Sequence, residues 1–410
     1  MSKLNKLIQE LCPNGVEYRK LGEIGEYIRG VTYDKKSEVQ NECDAWKVFR
    51  ANNITLSSNT LNFNDIKLVS KSVKVKESQK LVKDDILICA GSGSKDHIGK
   101  VAYIFSDIDY TFGGFMGVIR VNKNILMSRF LFHILTGSLF SKHLEINLNS
   151  STINNLNSQI MNSFEIPLPP LPIQEEIVKI LDRFAEYTAE LQAELQARKE
   201  QYEYYRNLLL TNNFAYGSAD DKQKITGNAR EEWKWMKMSE IAEIKRGVRV
   251  VKNDLSEDCC LYPVFQNCLT PLGYKEASNR KGGIPFIIVG GAAGSIGYSN
   301  SDFWAADDCL TIEGNSRVSN RYIYHYLNTK QQYLLSQVRK SSVPRLSRVT
   351  IENLMVPVPL LDEQLRIVAI LDKFDTLVSD LTQGLPAEIA ASQERYEYYR
   401  DKLLRFERCN

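Results

Sequence analysis

The sequence predicts an α+β protein. Two mixed α/β globular domains are joined and separated by two long antiparallel coiled-coil helices, as a pseudo-twofold internal repeat. Ordered segments recur in two halves of the 410-residue chain, a Pro-rich stretch closes each globular part, and a heptad seam follows each stretch.

The repeat is the first of these. Val16–Val31 aligns with Trp233–Val248, ending in Arg29-Gly30-Val31 and Arg246-Gly247-Val248. Gly-rich turns follow apolar runs at Ile86–Ser94 and Phe286–Gly294, and each is succeeded by Ile-Gly, at Ile98-Gly99 and Ile296-Gly297. Ser128–Leu135 matches Asn320–Leu327, Ser151–Leu156 matches Ser341–Leu346, and Ile166–Leu171 matches Val356–Leu361. Apolar runs at Asp85–Cys89, Gly117–Val121 and Ile284–Val289 predict strands, and Arg129–Leu135 and Arg321–Leu327 predict helices.

Prolines in 167–172 and 357–359 remove backbone donors and force extended chain, so each globular domain ends there. The helices come next. Ile177, Leu181, Phe184, Thr188, Leu191, Leu195, Arg198, Tyr202, Tyr205 and Leu209 alternate steps of four and three, a coiled-coil seam. The second seam runs through Ile367, Leu371, Phe374, Val378, Leu381, Leu385 and Ile389 to Tyr396, Tyr399, Leu403 and Phe406. The predicted helix–helix contacts use Leu181, Phe184, Leu191, Leu195, Tyr202 and Tyr205 on one helix and Leu371, Phe374, Leu381, Tyr396 and Tyr399 on the other; packing of each seam on its own domain is the alternative. Asp182 to Tyr202 spans 20 residues and Asp372 to Tyr396 spans 24, and Gly384 and Pro386 should interrupt the longer one. The organisation is therefore domain 1–172, helix 173–212, linker 213–232, domain 233–359 and helix 360–408.

Composition fits a soluble class: 43% hydrophobic, 25% charged, with no apolar run long enough for a membrane span and no signal peptide, so the cytoplasm is expected. The eight cysteines contain no Cys-x-x-Cys pair and the four histidines are scattered, which argues against a disulfide framework or a metal site. The net charge of +2 divides unevenly: the two helices hold a combined −6 and the remainder +8, so basic domains would face a polyanion.

Catalytic signatures are missing. Gly290–Gly297 lacks G-x-G-x-x-G, and Gly91–Lys95 is not a P-loop. Asp84-Asp85 upstream of Lys95 resembles a nuclease fragment, but the second copy has Gly282-Gly283 instead. The chain is expected to be non-catalytic.

Pro-Leu-Pro-Pro-Leu-Pro-Ile-Gln-Glu-Glu-Ile-Val, the paired Ile-Leu-Asp-x-Phe motifs (180–184, 370–374), the Thr-Ala-Glu-Leu spacer and the paired Tyr-Glu-Tyr-Tyr-Arg motifs (202–206, 396–400) resemble the DNA-specificity subunit of type I restriction-modification systems, over essentially the whole chain. The resemblance implies two target-recognition domains, each reading half of a bipartite site in double-stranded DNA. It also implies helices that set the half-site spacing and dock two methyltransferase (modification) subunits carrying S-adenosylmethionine. A motor-nuclease (restriction) subunit using ATP and magnesium would join for cleavage, and this chain itself would bind no cofactor. Thr32–Lys83 and Arg249–Lys281 do not align, which suggests different readers on one frame and an asymmetric target. A protein scaffold with the same two arms, or an enzyme with an unrecognised site, are the other readings of the residues.

Candidate DNA contacts in the first copy are Arg29, Arg50, Asn52, Asn53, Ser92, Ser94, Lys95, Ser151 and Thr152. In the second they are Arg246, Arg249, Gln266, Asn267, Ser341, Ser342 and Arg345. Arg, Asn and Gln can read base edges, whereas Ser, Thr and Lys mostly hold phosphate.

Overall fold

A computed structural model describes residues 3–41, 44–92, 97–148, 155–211, 233–340, 342–379 and 384–409. The predicted linker 213–232 lies outside them. The chain forms two compact units: Met1–Glu190 with Ile389–Asn410, and Leu191–Glu388. Each unit thus holds one globular copy, the start of the helix that follows it and the end of the other helix.

In the first unit a four-stranded antiparallel sheet runs in the order Gly25–Arg29, Met116–Val121, Ile86–Cys89, Val101–Tyr103. Alternate residues of a strand face opposite sides. Accordingly Ile86 and Ile88 join the core under the helices, while Leu87 and Cys89 join a second core on the other face. Burial on both faces explains why this strand reads as an unbroken apolar run. A three-stranded sheet centred on Ala45–Phe49 covers that second face, with Lys67–Ser70 antiparallel and Thr111–Phe112 parallel to it.

The second unit repeats these two sheets, while the Ile54–Thr55 and Thr60–Leu61 hairpin of the first has no counterpart among its described residues. Its main sheet runs Ala242–Arg246, Cys309–Gly314, Ile284–Ile288, Ile296–Ser299, and its small sheet centres on Tyr262–Phe265 with Trp304–Ala305 parallel to it. The register corrects two of the sequence matches. Met116 pairs with Cys89 and Cys309 with Ile288, so Gly91 corresponds to Gly290 rather than to Gly291. Val101 takes the place of Ile296, so the two Ile-Gly pairs are not equivalent. The Arg-Gly turns are equivalent: a Cβ on Gly30 would collide with the carbonyl oxygen of Gly113, and one on Gly247 with that of Ala306. Backbone passes so close there that only glycine fits.

Pro167 and Pro357 lie in strands, Glu165–Leu168 paired with Glu17–Lys20 and Met355–Val358 paired with Lys234–Lys237. Proline is tolerated at such two-stranded edges. The first long helix is Leu171–Thr211. Pro172, expected in extended chain, falls in its first turn, where its missing N–H costs no bond. The second is broken into Leu361–Ser379 and Leu385–Leu403, with Gly384 just ahead of the new start and Pro386 in its first turn.

Candidate nucleic-acid interface

Two buried glutamines tie each long helix to its globular copy. Gln174 donates to the carbonyls of Ile125 and Pro169 and accepts from the Met127 N–H; Gln364 does the same with Arg317, Pro359 and Ser319. About two turns further on, the aspartate of Ile-Leu-Asp-x-Phe organises a polar cluster. Asp182 Oδ1 accepts from Arg129 Nε at 2.8 Å and from His133 Nε2 at 2.9 Å, and the other ring nitrogen of His133 takes the Tyr396 hydroxyl at 3.0 Å. In the second unit Asp372 accepts from Arg321 and His325, both at 2.7 Å, and Tyr202 stands 3.3 Å from His325 Nδ1. Burial pushes the His133 imidazolium pKa down despite the carboxylate beside it. Burial works to raise Asp182, but the His133 hydrogen bond and the Arg129 charge outweigh it and hold the carboxyl below its usual range. His133 is therefore a neutral imidazole that donates to an ionised Asp182 and accepts from Tyr396.

The seam residues do two things at once. Leu181 and Leu371 are fully buried in the two domain cores, while Phe184 stacks on Tyr399 at 5.4 Å and Phe374 on Tyr205 at 5.7 Å. Leu191 is buried, Leu195 is partly buried, and Tyr202 stacks on Phe374 at 6.2 Å. Helix–helix packing and packing on a domain coexist. Leu381 lies outside the described residues. Tyr204 and Tyr398, which lie off the seam in the two signatures, are 51% and 61% exposed.

Four of the candidate contacts in the first unit, Arg29, Arg50, Asn52 and Ser92, line one groove of about 870 Å³. Strand ends and a tight loop place them. Arg29 Nη1 and Nη2 donate to the carbonyls of Leu156 and Gly114. Arg50 Nη2 pairs with Asp65 Oδ2 at 2.7 Å, and Asn52 reaches the same oxygen at 3.2 Å. Asn53 corrects the expectation: it is fully buried, its amide donates to the carbonyls of Asn62 and Asn64, and its oxygen takes the Arg50 N–H. It shapes the loop from inside. Ser94, Lys95, Ser151 and Thr152 lie outside the described residues.

In the second unit the candidates gather around Asp307 and Asp308, which the sequence reading missed. Arg246 Nε donates to the Asp307 carbonyl, Gln266 Nε2 to the Asp307 carboxylate at 3.3 Å, and Arg345 pairs with Asp308 at 3.3 Å. The exposed Asn267 accepts the Ala292 N–H through its carbonyl, Arg249 and Ser342 are exposed, and Ser341 lies outside the described residues. The acidic pair could have been found by aligning Ala306-Asp307-Asp308 with Gly113-Gly114-Phe115, a match too short to stand out in the sequence.

Asp84 and Asp85 have structural partners. Asp85 is clamped by Arg120 at 2.7 and 2.8 Å, and Asp84 holds Lys123 and the Tyr103 hydroxyl. Seven cysteines among the described residues are free. Asp258, Cys259 and Cys260 come within 4.8 Å of one another on an exposed turn, because Asp258 accepts the Cys260 N–H. Among the described residues no helix is long and apolar enough to cross a membrane.

Each unit combines one copy of a duplicated α/β domain with the start of one long helix and the end of another, the organisation of a type I specificity protein. Residues 13–221 and 230–391 match the type I restriction modification DNA specificity domain, and the chain belongs to that family. A putative type I restriction enzyme specificity subunit of Haemophilus influenzae is 30% identical over 307 residues, covering 69% of this chain and 74% of the relative. The EcoR124I/EcoR124II specificity subunit of Escherichia coli is 32% identical over 268 residues, covering 59% and 63%. The crystal structure of a type I S subunit from M. genitalium superposes with a TM-score of 0.59 at 16% identity, covering 95% of this chain and 96% of that one. It shares the fold.

Proposed function

We propose that this chain is the non-catalytic, cytoplasmic DNA-binding subunit of a type I restriction-modification complex, each globular domain reading one half of an asymmetric bipartite site. The observation that carries this reading is a frame kept twice around chemically different positions. Arg50 and Gln266 follow equivalent strand residues, Phe49 and Phe265, and Gly114 and Asp307 likewise occupy one place in the two copies. Equal frames give two binding geometries of one kind; unequal side chains give two different base preferences.

The paired helices would set the half-site spacing and dock two methyltransferase subunits. Tyr204 and Tyr398, exposed at equivalent places, support an outer helix face open to a partner. The partners would supply S-adenosylmethionine, and a restriction subunit would supply ATP- and magnesium-dependent cleavage; this chain needs no cofactor for such a part. The test is co-expression with the modification subunit followed by genome-wide mapping of methylated adenine. A single bipartite motif with unlike halves is expected, and binding to duplex DNA should weaken steeply with salt. Methylation without a bipartite motif would overturn the reading.

A further inference from the structure

We infer that Phe115, Asn155 and His97 form, with Arg50, a specificity-determining slot of the first domain, and that this slot reads an A·T base pair. The inference rests on the DNA-reading role proposed above and goes beyond it to residues and a base.

Native proteins leave few buried polar atoms unpaired, and each one needs a reason. Among the described residues four such side-chain atoms are found: Arg50 Nε, His97 Nδ1, Asn155 Oδ1 and Arg206 Nε. Three of the four belong to one place. Arg50 and His97 line the first unit's groove, and Asn155 pairs through its backbone with Gly91, which lines it too. Phe115 lines the same groove with 70% of its surface exposed. A Cβ on Gly91 would touch both the Phe115 ring, at 3.1 Å, and Asn155 Oδ1, at 3.5 Å, so the ring and the unpaired acceptor flank a bare glycine. The presentation is rigid, because the Phe115 carbonyl accepts the N–H groups of Ala90 at 2.8 Å and Gly91 at 2.9 Å.

The second unit shows what the same slot looks like when filled from within. Asp308 stands at the position of Phe115, its carbonyl taking the Val289 N–H at 2.8 Å. Arg345, which pairs with Gly290, stands at the position of Asn155. There the two side chains satisfy each other as an ion pair at 3.3 Å. In the first unit the corresponding pair is an aromatic ring and an amide, which cannot.

The chemistry selects the occupant. The slot offers an acceptor (Asn155 Oδ1), a donor (Arg50 Nε) and an apolar face (Phe115). An A·T pair presents in the major groove the adenine N6 amine, the acceptors N7 and O4, and the thymine methyl. A G·C pair lacks the methyl. Arg29 and Lys35, which also line the groove, add positive charge that favours a phosphate backbone.

The test uses the full chain in complex with its modification subunits. Asn155→Leu and Phe115→Ala are each co-expressed, and methylated motifs are compared with wild type. Each variant is expected to relax one A·T position of one half-site by about tenfold or more, the size of a lost base contact, with the other half-site unchanged. Where a variant fails to assemble with its partners, Asn155→Ser or Phe115→Leu is read in its place. An unchanged motif, a change at a G·C position, or loss of methylation equally at all sites by an assembled complex would each overturn the slot. A wild-type complex without a bipartite motif would instead remove the DNA-reading role itself.

Discussion

The Tyr396 hydroxyl stands 3.0 Å from Nδ1 of His133, and the two residues are 263 positions apart in the chain. That contact joins the second copy's Tyr-Glu-Tyr-Tyr-Arg signature to the first copy's globular domain. Tyr202 and His325 make the equivalent contact at 3.3 Å. The signature tyrosine thus clasps the other copy's domain.

Tyr396→Phe removes a donor and leaves a buried imidazole nitrogen unpaired. It should cost about 1–2 kcal/mol in chemical denaturation. Tyr202→Phe breaks a longer bond and should cost less. Tyr398→Phe, on an exposed ring, should stay within about 0.5 kcal/mol. A larger loss for Tyr398→Phe than for Tyr396→Phe would contradict the clasp.

Stability should fall as the solution is acidified from pH 7 to 5. Burial lowers the pKa of His133 in the folded state below its ordinary 6.5. The unfolded chain therefore binds a proton first, and folding loses free energy as pH drops below about 6.5. The lowered carboxyl of Asp182 acts in the same sense at lower pH, its contribution present above its ordinary 3.8 and lost below it. His133→Gln should flatten the first slope, which pH-dependent melting would reveal.

Asn53→Ala should destabilise the first unit by about 1–2 kcal/mol, since it removes a buried amide that bonds the part-buried carbonyls of Asn62 and Asn64 and the Arg50 N–H. Asn52→Ala, a few ångströms away but exposed, should leave melting unchanged within about 0.5 kcal/mol and weaken DNA binding instead. Calorimetry on the two variants separates loop-shaping from contact.

Inserting Ala-Glu-Leu-Gln after Leu195 adds roughly 6 Å of helix and returns the seam to nearly the same face, about 40° off. The methylated motif should then show a gap longer by about one or two base pairs, with both half-sites unaltered. The same gap in the mapped motif would refute the helices as rulers.

The sequence by itself determined the duplication, the heptad seams, the interruption of the second helix ahead of Leu385 and the family, because period, glycine, proline and repeated motifs are local signals. It also marked Arg29 and Arg246, though their guanidiniums bind backbone carbonyls at the Arg-Gly turns. Only the tertiary structure decided which matches were true equivalents, since a strand's register is set by its partners. It also brought Phe115, His97 and Asn155 to one groove from three separate segments and buried Asn53. The antiparallel pairing of the helices was legible in their seams; that each seam also packs on a globular domain was decided by the tertiary structure, because a seam states only that a helix needs an apolar partner.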